Sequence, residues 1–251
     1  MGLEINRDKT KYIVNGIDQS NILEHIEEVK EFNYLGVLIG NNENNIKTRK
    51  QQALQYLNKL NPIWNSTLIS TSTKIRLYNT TALAIFLYGS QTWNTSTKKI
   101  RDTINSFHTT SLRRILGYTW KDHISNIKIL EESGQIQLME DIQKGQMRWV
   151  GHQLRRDLEY NKILTLYNPL NGKRGRGRPH RQYWQMIRDY IGDGELSTTD
   201  IYELASDRER WRTLVDDAGG DATGPGLHKN QLYISICFPV HNKCIISYSF
   251  L

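Results

Sequence analysis

Between Gly40 and Leu60 the period of the apolar residues changes, and that change restricts the fold more than any other feature of the 251-residue chain. Before it, the apolar residues come in short segments, "KYIV" and "FNYLGVLIG", bounded by charged and turn-forming residues, as strands are. From Asn44 onward they recur at helical spacing. In "NIKTRKQQALQYLNKLNPIW" the side chains of Ile46, Ala53, Leu54, Leu57 and Leu60 share one face, and lysines take the other.

The helical pattern then persists for most of the chain. "LISTSTKIRLYNTTALAIFLYGS" opens on Ser/Thr capping candidates and stops at Gly89. "STKKIRDTINSFHTTSLRRILG" aligns Ile100, Ile104, Phe107, Ser111, Leu112 and Ile115 in one stripe, with Gly117 placed to end the helix. A further helix is predicted from about Ser125, and another carries Ile136, Met139, Ile142 and Trp149. "RQYWQMIRDYI" reads as helix, and "STTDIYELASDRERWRTLV" as one capped helix with Ile201, Leu204, Trp211 and Leu214 inward. The expected fold class is therefore mainly α, a helical bundle of about six or seven helices.

Two flanking regions depart from that pattern. The first 43 residues read as a small α+β piece, with Asn15-Gly16 suited to a tight hairpin turn. After "DDAGGDATGPGLHKNQ", a Gly/Pro/Asp linker, the tail "LYISICFPVHNKCIISYSF" is β-prone or irregular and Pro239 interrupts it. The expected organisation is 1–43, 44–133, 134–216 and 217–251, with no internal repeat.

Charge narrows the partners. Residues 1–45 carry 4 Lys+Arg against 8 Asp+Glu, residues 46–192 carry 24 against 9, and residues 193–251 carry 5 against 9, so −4, +15 and −4 give the net +7. A basic block of that size, interspersed with Trp64, Trp93, Trp120, Trp149 and Trp184, suits a polyanion; the plainer alternative is a set of solvated helix faces. Only Cys237 and Cys244 are present, which is no disulfide framework. With no signal-peptide core and no run long enough to span a membrane, the expected place is inside the cell, nuclear or cytoplasmic, without a membrane partner.

Several blocks resemble, in order, the C-terminal part of the reverse transcriptases of non-LTR (LINE-type) retrotransposons. "GLEINRDKTKYIV" and "FNYLGVLI" are similar to the end of the palm domain. "IWNSTLISTSTKIRLYNTTALAIFLYGSQTWN", "SFHTTSLRRILGYTWKDHISN", "MRWVGHQLRR", "GKRGRGRPHRQYW" and "ELASDRERWRTLV" are similar to the thumb and the region after it. The resemblance covers about residues 2–215 and leaves the tail unmatched. It implies an RNA-directed DNA polymerase whose palm aspartates hold two Mg²⁺ ions. Those aspartates belong to a Tyr-x-Asp-Asp hairpin that this sequence does not contain, and its sole Asp-Asp, Asp216-Asp217, follows "TLV" instead. The chain alone is expected to bind no cofactor and to polymerise nothing. By the same resemblance Lys9 matches a lysine that protonates the departing pyrophosphate, a general-acid role, while a plain surface lysine is the alternative. Phe32, Tyr34, Leu35 and Gly36 match a hairpin that grips the primer backbone.

In the thumb-like block, Lys74, Arg76, Lys98, Lys99, Arg101, Arg113 and Arg114 are candidates for phosphate contacts along an RNA template, DNA primer or target duplex. Tyr78, Phe86, Tyr88 and Trp93 have helical spacing and are expected in the core. "RGRP", Arg176–Pro179, is similar to an AT-hook: Arg176 and Arg178 would enter a narrow A·T minor groove while Lys173, Arg174 and Arg181 hold phosphates. Gly175 stands where such hooks carry proline, and a basic linker is the alternative. His152 reads as a packing or capping residue. His228, Cys237, His241 and Cys244 have spacing unlike common zinc sites, so no metal is expected. Besides the polymerase fragment, two readings stay open: a stand-alone DNA-binding protein, and a non-functional relic.

Overall fold

The computed structural model describes residues 10–14, 26–156, 183–191, 197–217, 238–240 and 243–246. They belong to two compact units, one holding residues 1–45 with 228–251 and the other residues 46–227.

In the first unit β1 (Lys11–Val14) pairs in parallel with β2 (Glu27–Glu28). On its other edge it pairs antiparallel with β6 (Lys243–Ile246), which in turn pairs antiparallel with β5 (Phe238–Val240), so the sheet order is β2-β1-β6-β5. The described parts of the β-prone tail, residues 238–240 and 243–246, thus belong to the same sheet as the N-terminal strand. Pro239 does not interrupt it: the residue sits within β5, at the sheet edge, where a missing N–H costs no ladder bond. Lys11 forms an ion pair with Glu27, its direct neighbour across the ladder. The turn expected at Asn15-Gly16 lies outside the described residues.

A second hairpin joins β3 (Phe32–Tyr34) to β4 (Val37–Ile39). Its two-residue turn puts Leu35 at φ 48° and Gly36 at φ 80°, the left-handed pair that matches strand twist in a tight hairpin. Glu31 ties this hairpin to the chain that follows, accepting from Asn41 Nδ2 at 2.7 Å and Asn44 Nδ2 at 3.1 Å, while the Asn41 side chain caps the Asn44 N–H at 3.0 Å.

The second unit is helical, and the protein is mainly α. Its elements are α1 (Asn42–Lys59), α2 (Asn61–Trp64), α3 (Thr71–Tyr78), α4 (Ala84–Phe86), α5 (Lys98–Leu116), α6 (Asn126–Ser133), α7 (Leu138–Arg155), α8 (Tyr183–Ile191), α9 (Thr198–Ser206) and α10 (Arg208–Asp217). Ser70, Thr97 and Ser125 cap α3, α5 and α6 through their side chains, and Gly117 and Gly134 end α5 and α6 in left-handed conformation. Between α3 and α4 the turn widens to a π-helix over Asn79–Leu83. Here Thr80 and Thr81 donate their hydroxyls to the Leu77 carbonyl, competing with the backbone ladder. The chain expected to form one helix over 197–215 breaks at Asp207 (ψ 105°) into α9 and α10. The Asp207 carboxylate restarts the helix, accepting from the N–H groups of Glu209 at 3.0 Å and Arg210 at 3.1 Å.

Two apolar cores result. The first gathers α1 to α6 and the start of α7, with Ala53, Leu57, Tyr78, Phe86, Trp93, Ile104, Leu112 and Ile129 all but inaccessible. The second gathers the end of α7 with α8, α9 and α10 around Met147, Val150, Ile187, Ile201 and Trp211. Helix α7 runs through both. The faces expected on α1 and α5 are buried as anticipated, while Tyr88 is half-buried with the Arg49 guanidinium 4.3 Å from its ring centroid. Among the described residues no helix is long and apolar enough to cross a membrane.

Candidate nucleic-acid interface

Among the described residues of the helical unit, the last turn of α5 and the loop after it bring two arginines, a tyrosine, a tryptophan and a histidine to one surface. The inward stripe of α5 (Ile104, Phe107, Leu112, Ile115) leaves Thr110, Arg113 and Arg114 at the rim. Two cations there favour the helix by facing its negative end. Both guanidinium groups are held in place. Arg113 donates to the Ile124 carbonyl and, at 2.9 Å, to Asn126 Oδ1. Arg114 donates to Asn61 Oδ1 at 2.6 and 3.0 Å and to Asn58 Oδ1 at 2.8 Å. Every one of these acceptors is neutral. The two side chains are oriented at little cost to their charge, which a carboxylate partner would cancel.

Between them and the loop opens a groove of about 640 Å³, lined by Thr110, Arg113, Arg114, Tyr118, Trp120 and His123 among others. The loop is rigidly closed. Asp122 accepts from the Thr119 N–H at 2.6 Å and the Thr119 hydroxyl at 2.8 Å, and these bonds hold its carboxyl below the usual range. His123 then leaves the turn in left-handed conformation, φ 50°. Tyr118 donates to Glu132 at 2.8 Å, and that bond raises its hydroxyl pKa. The turn presents Trp120 with 79% of its surface exposed, and Lys121 Nζ stands 5.9 Å from its ring centroid.

The other cations anticipated for phosphate contact divide into two sets. Lys74 donates to the Trp64 carbonyl at 2.8 Å, closing the end of α2, and Arg101 donates to the Thr95 and Ser96 carbonyls at 3.0 and 2.7 Å, fastening the loop before α5. These two hold the fold. Arg76 on α3 and Lys98 and Lys99 in the first turn of α5 are exposed. Lysines at a helix N-terminus oppose its dipole, so this pair does not serve helix stability. Phe32, Tyr34, Leu35 and Gly36 form the β3–β4 hairpin of the first unit, with Leu35 exposed at its tip. Lys9 and the loop residues Lys173, Arg174, Arg176, Arg178 and Arg181 lie outside the described residues, as do His228, Cys237 and His241.

A second basic cluster escaped the sequence reading. At the end of α7, burial lowers the His152 pKa, and the charges of Arg156, Arg155 and Arg208 lower it further. Arg155 also donates to the Ala205 carbonyl at 2.9 Å, which ties α7 to α9. Arg208 lies far along the chain from "HQLRR", so spacing gave no sign of the grouping. Trp120 was also missed as a site residue, although its setting among turn-forming residues in "GYTWKDHIS" was a usable sign.

Asp216 and Asp217, the one adjacent aspartate pair in the sequence, do not fit a polymerase metal site. Among the described residues no group of three or more His, Cys, Asp or Glu side chains is placed to hold an ion. Asp216 and Asp217 are consecutive residues of α10, so their side chains diverge by about 100° around the helix.

Compared with known proteins, residues 56–88 match a family described as Domain of unknown function (DUF6451). That stretch runs from the second half of α1 past α4 and supplies Leu57, Trp64, Tyr78 and Phe86 to the first core. It is far short of half the chain and assigns no family. No curated protein and no solved structure matches the chain.

Proposed function

We propose that the chain is a nucleic-acid-binding piece of a non-LTR retrotransposon reverse transcriptase, without the aspartates that would make it a polymerase. Its ligand is a template–primer or target nucleic acid held largely through phosphates. The observation that carries this reading is the pair Arg113 and Arg114, two guanidinium groups oriented on neutral acceptors at one groove. Residues 46–192, with 24 Lys+Arg against 9 Asp+Glu, are the strongly basic part of the sequence, and the groove is built from residues of that part. The ordered resemblance of the sequence blocks supports the polymerase origin, and Mg²⁺ belongs to the intact polymerase.

The test is fluorescence anisotropy with labelled RNA and DNA over a salt series. Binding is expected to weaken steeply with salt, as counterion release requires. Replacing Arg113 and Arg114 together by Gln keeps side-chain donors for their oxygen partners and removes both charges. The logarithmic salt slope is then expected to flatten by about 1.4 to 1.8, at roughly 0.7 to 0.9 for each of the two lost phosphate contacts. No binding at low salt would reject the reading.

A further inference from the structure

Trp120 is out of place in a merely structural account. A tryptophan left 79% exposed contributes almost nothing to the core, yet its loop is fastened at both ends. Thr119 and Asp122 lock the turn from within, and Arg113 grips the Ile124 carbonyl and Asn126 just beyond it. The fold therefore spends ordered structure on holding a bare indole beside two oriented guanidinium groups.

We propose that this groove takes an unpaired nucleotide, with the base stacked on the Trp120 indole and the phosphates on either side of it held by Arg113 and Arg114. The inference rests on the nucleic-acid reading above and narrows it to a single-stranded segment. A duplex encloses its base faces within the stack and offers outward only grooves and sugar–phosphate rails. An exposed indole finds a flat partner only where a base is free of its complement. The groove does not read sequence, since every base has a stacking face and both arginines meet the backbone. Lys121, within reach of the same ring, adds a third cation that can turn to the strand. Asp122 keeps its negative charge in the same turn, held ionised by its bonds to Thr119, and the three cations outnumber it there.

The experiment uses the full chain and a short oligonucleotide carrying 2-aminopurine, whose emission falls when it stacks. A single strand and the matching blunt duplex are titrated in parallel against wild type, Trp120→Ala and Trp120→Phe. The wild type is expected to quench the single strand. Trp120→Ala should remove that quenching and weaken single-strand binding by on the order of tenfold. Trp120→Phe should keep most of both, and duplex affinity should change by less than about twofold. If Trp120→Ala leaves quenching and affinity intact, or weakens the duplex equally, the stacking site is overturned while salt-steep binding keeps the parent reading. Binding of neither form at low salt overturns both. Poly-glutamate runs as a competitor, and displacement of the strand at equal charge concentration would also overturn stacking, because it would show that charge alone suffices.

Discussion

The two cores of the helical unit are supported differently. The first is distributed: Phe86 packs 4.2 Å from the Phe107 ring and edge-on to Trp93 at 5.4 Å, and side chains from seven helices share the burial. The second, with fewer members, includes one unusually close approach. Trp211 of α10 lies directly on the α7 backbone, its indole N–H donating to the Met147 carbonyl at 2.9 Å. The approach is possible because residue 151 is glycine; a Cβ there would run into the Trp211 pyrrole edge. Burial of similar depth thus arises in both from many neighbours, but in the second a single fitted pair also sets how closely α10 approaches α7. Tolerance to mutation should differ accordingly.

The largest expected effect tests that pair. Trp211→Ala should cost about 3–5 kcal/mol, the usual range for deleting a buried large aromatic. Gly151→Ala alone should cost about 1–3 kcal/mol by overpacking. In the Trp211→Ala background the same change should be neutral, or stabilising by up to about 1 kcal/mol, because the clash is gone and alanine is the better helix former. Urea denaturation of the four proteins measures the coupling. Additive costs would break the comparison.

The first core contains a titratable group, so pH sharpens the contrast. His108 is buried, with Nδ1 3.0 Å from the Tyr78 hydroxyl; burial lowers its pKa to about 4, against a weaker opposing effect from a backbone hydrogen bond with Ile136. Burial likewise keeps the Tyr78 hydroxyl protonated, raising its pKa. The unfolded chain takes up a proton near pH 6.5, and the folded one only near pH 4. Stability is therefore complete above about pH 6.5 and is lost as pH falls toward 4, by up to about 3 kcal/mol. Denaturant midpoints from pH 7.5 to 4 would register the fall, and His108→Gln should flatten it. An unchanged slope in the variant would place the titration elsewhere.

Much of this arrangement was legible in the sequence, and the exceptions share a cause. Ile104, Phe107, Leu112 and Ile115 announce their face because an amphipathic helix repeats its burial every turn. The caps at Ser70 and Gly117 were legible because they depend on immediate neighbours. What could not be read is non-local. Nothing within "RWVGHQ" says that an indole over fifty residues later will rest on Gly151, and nothing within "KYIV" says that the tail supplies its partner strand. The site divides in the same way. Arg113 and Arg114 stand out as charges in sequence, but that their partners are carbonyl and amide oxygens, leaving the charge uncancelled, depends on Asn58, Asn61 and Asn126 arriving from other helices.

The break at Asp207 lies between these extremes and carries the smallest expected effect. An uninterrupted helix over 197–215 satisfies the apolar spacing about as well as two helices do, so period alone does not reveal the corner. The corner is what brings Trp211 onto Gly151 while Ile201 and Ala205 stay on the same core. Asp207 supports it through the two N–H groups it accepts, and its backbone carbonyl begins the next helix by accepting from the Trp211 N–H at 3.0 Å. Asp207→Ala should therefore cost about 1 kcal/mol, as loss of an N-cap does, whereas Asp207→Asn or Asp207→Ser should recover most of it. If the Trp211–Gly151 coupling survives in Asp207→Ala, the cap merely stabilises a corner that packing already dictates. If the coupling shrinks with the cap, the second core is even more locally dependent than its one close approach implies, and its contrast with the first core widens.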